Sequence, residues 1–176
     1  MNWKDVPKFT HCHYRVNIPW HFLQENINEY LTVHKLDLNP DFQRGHVWTE
    51  EQQIAFVEYA LKEPQSGLEI YMNHPNWMGN WKGDFVLVDG KQRLEAARRF
   101  LENEIPAYNC LYKDFTGFKH IPMDVQFIFN IAKLQTRAEV LKWYLDFNAG
   151  GTPHSQEEIS KVREMLNAEL GQNEKR

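Results

Sequence analysis

The sequence predicts one α+β domain, built from a small mixed sheet with helices packed on it. The chain has 176 residues, the size of a single compact domain. It mixes short strand-like runs with four or five capped helices, and this mixture is typical of the α+β class. We therefore place the domain at residues 1–170 and expect the polar residues 171–176 to fray.

The composition is that of a globular protein, with 42% hydrophobic and 25% charged residues. It excludes a wholly disordered, collagen-like or coiled-coil chain. No apolar run approaches the roughly 20 residues that span a bilayer, and the N-terminus lacks the apolar core of a signal peptide. Two cysteines, Cys12 and Cys110, are too few for a disulfide framework. We expect a cytoplasmic protein without membrane contacts.

The net charge is −4 and the isoelectric point is near 6.1. A dedicated nucleic-acid-binding domain usually has an isoelectric point above about 9. The charge therefore speaks against tight non-specific binding of DNA or RNA, although a local basic patch remains compatible with it.

The predicted elements follow from apolar spacing and capping signals. A first helix covers about residues 19–31, with Pro19 at its first position. A capping box at residues 49–52 opens a second helix that ends before Pro64. Two strands cover residues 68–72 and 85–88, and the second runs through a glycine turn into a helix that contains Leu94 and Phe100.

In the second half of the chain, the secondary-structure signals are weak up to residue 134 and strong from residue 136 onward. Residues 107–112 are a strand candidate, and residues 127–134 form an apolar run of either type. Capping boxes at 136–139 and 155–158 open helices that reach about residues 147 and 170.

The glycine turn at residues 89–93 is the first candidate site. Gly90 permits a tight turn, and a first helical turn exposes N–H donors with partial positive charge. With Lys91 and Arg93 this makes an anion site such as a phosphate cradle, and Asp89 could hold Mg²⁺ or orient a water. The alternative is that Asp89 only caps the helix while the cations are solvated.

Two loops are further candidates. Gln43 and Arg44 lie between large aromatic residues, and an arginine there can stack or bind a phosphate; a packed loop explains the pattern equally. Residues 148–153 contain Gly150 and Gly151, whose backbone could approach a ligand, but they could also simply connect two helices. His11, Cys12 and His13 alternate like metal ligands, yet no second pair of ligands completes a site.

Three motifs in one order resemble a known family. Residues 38–48 read LNPDFQRGHVW, residues 88–94 read VDGKQRL, and residues 147–155 read FNAGGTPHS. Together they resemble the DGQQR-motif family, which includes the N-terminal domain of GmrSD-type modification-dependent restriction enzymes and related phage-defence proteins. The resemblance covers roughly residues 36–162. It implies a ParB/sulfiredoxin-like fold with a nucleotide-binding, often nucleotide-hydrolysing, site.

Carried over residue by residue, the resemblance implies one set of catalytic residues and one set of nucleotide-binding residues. Catalytic roles fall on Asp89, Gln92 and Arg93, with Asp89 also as the Mg²⁺ ligand; nucleotide-binding roles fall on Gln43, Arg44, Gly90, Lys91, Asn148, Gly150 and Gly151. Lys91 replaces the first glutamine of the motif, a change compatible with phosphate binding. The chain ends soon after the third motif, so a stand-alone form without the nuclease half is expected. No cysteine lies near Asp89, which disfavours thiol chemistry.

Three functions are consistent with these observations. The first is a domain that binds and hydrolyses a nucleoside triphosphate with Mg²⁺, as the sensor half of a restriction or phage-defence system. The second is a ParB-like module that binds or nicks DNA through Lys91, Arg93, Arg98 and Arg99. The third is a phage or mobile-element regulator without enzymatic activity, which acts through contacts with a restriction subunit.

Overall fold

A computed structural model describes residues 12–43, 45, 48–62, 67–117, 121–148 and 156–173. It confirms the predicted α+β class, with five α-helices and one mixed sheet of four strands in this part of the chain. Among the same residues, no helix is both long enough and apolar enough to cross a bilayer.

The strands are β1 (Cys12–Pro19), β2 (Glu69–Asn73), β3 (Val86–Asp89) and β4 (Gln126–Ala132). The helices are α1 (Leu23–Thr32), α2 (Glu50–Lys62), α3 (Lys91–Leu101), α4 (Arg137–Asn148) and α5 (Gln156–Asn173). The strand order in the sheet is β1-β4-β2-β3. Strand β4 runs antiparallel to β1 and parallel to β2, and β3 runs antiparallel to β2. Strand β3 is therefore an edge strand.

Helices cover both faces of the sheet. One face contributes Ile70, Met72, Leu87, Phe127, Phe129 and Ile131 to a core shared with α1, α2 and α3. The other contributes Val88 and Ala132, with Tyr71 and Val86 packed against them, to a smaller core shared with α4 and α5. The central strand β4 is buried on both faces, which explains why its sequence is a continuous apolar run of ambiguous type.

Most predicted elements are confirmed within a residue or two. The second, third and fourth helices and the strands at 69–73 and 86–89 lie where the spacing places them. The first helix differs at its start, because Pro19 ends β1 and a 3₁₀ turn (Trp20–Phe22) precedes α1. Helix α5 extends to Asn173, and the capping residue expected for it, Ser155, lies outside the described residues.

Two features of the sheet depart from the prediction. Strand β1 was not predicted, although Tyr14, Val16 and Ile18 alternate with polar residues as in a half-exposed strand. The prediction of a strand at residues 107–112 is wrong. There Ala107 and Cys110 hydrogen-bond to each other across a tight turn, N–H to carbonyl at 2.9 Å in both directions. The two residues between them have φ of 50° and 60°, so the chain reverses instead of extending.

The capping box at the start of α2 gives a first testable prediction. The Thr49 N–H donates to Gln52 Oε1 at 2.9 Å, and the Gln52 N–H donates to Thr49 Oγ1 at 3.4 Å. We expect Thr49→Ala to lower the free energy of unfolding by about 1 kcal/mol and the melting temperature by about 2–4 °C. Thermal unfolding followed by circular dichroism measures this. Thr116→Ala, in an exposed loop, is the control, and an equal shift in both variants would contradict the capping role.

Candidate functional site

The predicted glycine turn lies where the edge strand β3 passes into α3. Asp89 is the last residue of β3, and Lys91 is the first residue of α3. A bulge in the pairing with β2 places Leu87 opposite Met72 but Asp89 opposite Tyr71. Asp89 is therefore the residue of β3 that pairs with Tyr71, and its carboxylate contacts Arg93 of α3.

Gly90 makes the turn in a left-handed conformation, with φ of 103° and ψ of 7°. A Cβ atom at this position would lie 2.5 Å from Ile70 Cδ1 and 3.3 Å from Ile70 Cα. Glycine is thus required both by the backbone conformation and by the close approach of β2. Because the N-cap residue has no side chain, it cannot cap the first N–H groups of α3, which carry partial positive charge.

Asp89 and Arg93 form an ion pair across this turn. The distance between Arg93 Nη2 and Asp89 Oδ2 is 2.5 Å. The two side chains are 25% (Arg93) and 42% (Asp89) exposed, so a ligand in solvent can reach both. The Nε atom of Arg93 is buried and has no hydrogen-bond partner among the described residues. The structure thus brings Asp89, Gly90 and Arg93 together in one turn.

The first motif runs along the outer edge of β3. The Asp37 N–H donates to the Phe85 carbonyl at 2.8 Å, and the Leu87 N–H donates to the Asp37 carbonyl at 2.9 Å. Gln43 Nε2 then donates to the Leu87 carbonyl at 2.6 Å. These bonds cover the exposed edge of the sheet and hold Gln43 beside the strand that leads to the turn. Arg44 lies outside the described residues.

Gln92 connects the first motif to the second. Its Oε1 accepts a hydrogen bond from the Trp48 N–H at 3.1 Å, and its Nε2 donates to the Gly45 carbonyl at 3.3 Å. The side-chain amide is therefore bonded to the backbone of the loop before α2. This geometry supports a positioning role for Gln92, and the catalytic role inferred from the resemblance stays a prediction.

The third motif begins close to the turn. Asn148 ends α4, and its Nδ2 donates to a carbonyl one turn back in that helix at 2.7 Å. The preceding Phe147 packs on Tyr71, with ring centroids 4.5 Å apart. Since Tyr71 pairs with Asp89, this ring contact connects the C-terminus of α4 to the residue opposite the end of β3. Gly150 and Gly151 lie outside the described residues.

Tyr71 is a neighbour of the turn that the sequence did not indicate. Its hydroxyl donates to Glu69 Oε2, and Glu69 Oε1 accepts from Arg15 Nη2 at 3.0 Å. Alternation along β2 could have shown that Glu69 and Tyr71 share a face. The position of Tyr71 opposite Asp89 depends on the register between β2 and β3, which no local pattern encodes.

The arginines that follow the turn are paired with glutamates. Arg98 forms ion pairs with Glu95, Glu102 and Glu104, with the bidentate contact to Glu95 at 2.8 and 3.0 Å. Arg99 contacts Glu104 and the start of α2. The hydrogen bond that Arg98 donates to Glu95 is the largest cause that raises the pKa of Arg98, and the hydrogen bond that Glu104 accepts from Arg99 is the largest cause that lowers the pKa of Glu104. These two arginines thus belong to a network with Glu50, Glu95, Glu102 and Glu104, in which the carboxylates outnumber the guanidinium groups.

In the part of the chain that the structure describes, no group of three or more His, Cys, Asp or Glu residues could hold a metal ion. The described residues therefore contain no metal centre built from protein ligands alone. His11 and the side chains of Cys12 and His13 lie outside that part. Asp89 is a single carboxylate. It fits Mg²⁺ only in the manner of nucleotide sites, where phosphate oxygens and water supply most ligands.

A comparison with known families supports the resemblance seen in the sequence motifs. The family model described as GmrSD restriction endonuclease, N-terminal domain, matches residues 21–125, which is more than half of the chain. The match includes the first motif and the glycine turn and stops before the third motif. No curated protein and no solved structure matches the chain. The chain therefore belongs to the family of GmrSD restriction endonuclease N-terminal domains and carries a domain related to restriction systems.

Proposed function

We propose that this domain binds a nucleoside triphosphate at the β3–α3 turn and hydrolyses it with Mg²⁺. The observation that carries the proposal is the turn itself. Gly90 provides no side-chain cap for the N-terminus of α3. The same turn contains one carboxylate, Asp89, and two cations, Lys91 and Arg93. The first motif, which would supply one wall of a nucleotide pocket, is bonded to the same turn through Gln92.

Phosphate recognition would use the backbone and the cations together. The first-turn N–H groups of α3 and the helix dipole favour an anion at this end. Lys91 and Arg93 add two positive charges within the first turn. Gln43, Arg44 and Asn148, with Gly150 and Gly151, are the remaining residues that we assign to binding, on the basis of the family motifs.

Hydrolysis would need an oriented water and charge neutralisation, the usual components of phosphoryl transfer. The water oxygen attacks the γ-phosphorus, the bond to the β,γ-bridging oxygen breaks, and a diphosphate and phosphate leave. Asp89 would accept a hydrogen bond from this water or hold the ion, and Arg93 would stabilise negative charge on the phosphoryl oxygens. When bound, Mg²⁺ would neutralise charge between the β- and γ-phosphates.

Nucleotide binding can be tested by isothermal titration with the β,γ-imido analogues of ATP and GTP in the presence of MgCl₂. We expect wild type to bind at least one of them, and Lys91→Ala to bind it about tenfold more weakly, a loss of about 1.4 kcal/mol. Lys142→Ala, an exposed lysine on α4, is the matched control and should bind like wild type. Absence of binding by wild type would overturn the proposal.

A DNA-binding function through the same turn has less support. Of its four basic residues, Arg98 and Arg99 are paired with glutamates that outnumber them, so their charge is compensated within the protein. Binding to DNA that weakens steeply with added salt would nevertheless favour this function, whereas no binding at low salt would exclude it.

A further inference from the structure

A cleft of about 360 Å³ opens beside the β3–α3 turn and shares Lys91 with the phosphate site described above. It lies between α1, the first motif and α3, and Lys91 is at its edge. Its volume falls in the range of small-molecule pockets, which are typically 300–1,000 Å³. The cleft and the proposed phosphate site thus meet at the first residue of α3.

The walls of the cleft are apolar. Its aliphatic lining residues come from three separate parts of the chain and are Leu23, Ile27, Leu38, Leu87 and Leu94. Leu23, Leu87 and Leu94 are at most 6% exposed and belong to the larger core, so these walls are rigid. Such a surface favours a flat, weakly polar group over a free phosphate.

Polar and charged residues also line the cleft, and the charge of these residues differs from one end of α3 to the other. Lys91 lies at the end next to the turn, and the Glu95–Arg98 pair lies up to two helical turns further, about 10 Å along the axis. The lining also includes Gln24 of α1 and Asn39 of the first motif. One end of the cleft therefore suits an anion, and the other end offers hydrogen-bond donors and acceptors around an apolar floor.

We infer that this cleft holds the nucleoside part of the bound triphosphate, with the base between α1 and α3 and the phosphates directed toward Lys91. The inference rests on the proposed function, because it assigns the base of the same ligand. It makes the site selective for nucleotides over inorganic polyphosphate. Contact with the base would come from Leu38 and Leu94, and the polar edge of the base would face the Glu95–Arg98 pair.

The experiment compares the β,γ-imido nucleotide with inorganic tripolyphosphate on three variants of the full chain. Gln24→Trp and, separately, Asn39→Trp place a large ring at the edge of the cleft from exposed positions. Glu25→Trp places the same ring on an exposed part of α1 outside the lining and is the control. Circular dichroism melting checks that each variant is folded.

We expect both cleft variants to weaken nucleotide binding at least tenfold and to leave tripolyphosphate binding unchanged. Glu25→Trp should leave the binding of both ligands unchanged. Equal nucleotide affinity in wild type and both folded cleft variants would overturn the inference while the proposed function stands. Equal affinity of wild type for nucleotide and tripolyphosphate would overturn it as well. If wild type binds neither ligand, the proposed function itself fails, and this inference fails with it.

Discussion

Gly90→Ala is expected to lower the free energy of unfolding by about 2–5 kcal/mol. A left-handed backbone costs a non-glycine residue about 1–2 kcal/mol, and overpacking a well-packed site adds about 1–3 kcal/mol. Both costs apply here, since φ is 103° and the new Cβ would lie 2.5 Å from Ile70 Cδ1. For a chain of this size, thermal unfolding should show a melting temperature lower by roughly 5–15 °C.

Gly117 offers a matched control for this prediction. Its φ is 99°, nearly that of Gly90, but an added Cβ would meet nothing within 4 Å. Gly117→Ala should therefore show the backbone cost alone, and the difference between the two variants measures the contact with β2. Ile70→Val, which removes the Cδ1 atom, should recover part of the loss when combined with Gly90→Ala. Equal losses at the two glycines would show that the strand contact contributes nothing.

Asp89→Asn is expected to reduce hydrolysis of a nucleoside triphosphate by at least about 100-fold, the usual effect of losing a group that moves or orients a proton. The substitution keeps the size of the side chain and removes its charge. An amide cannot accept a proton from the attacking water and is a poor ligand for Mg²⁺. Release of inorganic phosphate under saturating nucleotide and MgCl₂ measures the rate.

The stability of the same variant separates chemistry from folding. The ion pair with Arg93 is partly exposed to solvent, and such pairs contribute at most about 1 kcal/mol. The melting temperature of Asp89→Asn should therefore stay within a few degrees of wild type. Asp124→Asn, at an exposed position away from the turn, should lose neither activity nor stability. Hydrolysis that persists in Asp89→Asn would leave Asp89 only its role as the partner of Arg93.

Local signals predicted the elements around the turn because each depends on neighbouring residues. The capping box at Thr49 forms the hydrogen bonds that the sequence indicates. The run from Val86 through Gly90 into α3 needs only an apolar strand, a glycine and helical spacing. The same holds for the α4 start, where Thr136 and Glu139 cap each other.

Signals that depend on distant partners were weaker. Strand β1 is recognisable only through its pairing with β4, since its alternation is short and ends in Pro19. Residues 107–112 have strand composition, but their central residues adopt left-handed conformations that close a turn. The basic residues Arg98 and Arg99 suggested a patch for a polyanion, but they form ion pairs with a larger number of glutamates from α2, α3 and the following loop.

By itself the sequence determined the α+β class, the strand–glycine–helix turn and the identity of the charged residues at it. Only the tertiary structure decided that Gln92 joins the first motif to the turn and that Tyr71 pairs with Asp89 and packs on the end of α4. It also decided that a cleft lined by Lys91 lies between α1 and α3. The reason is physical. Capping and periodicity act within a few residues, whereas strand register and helix packing depend on contacts between segments far apart in the chain.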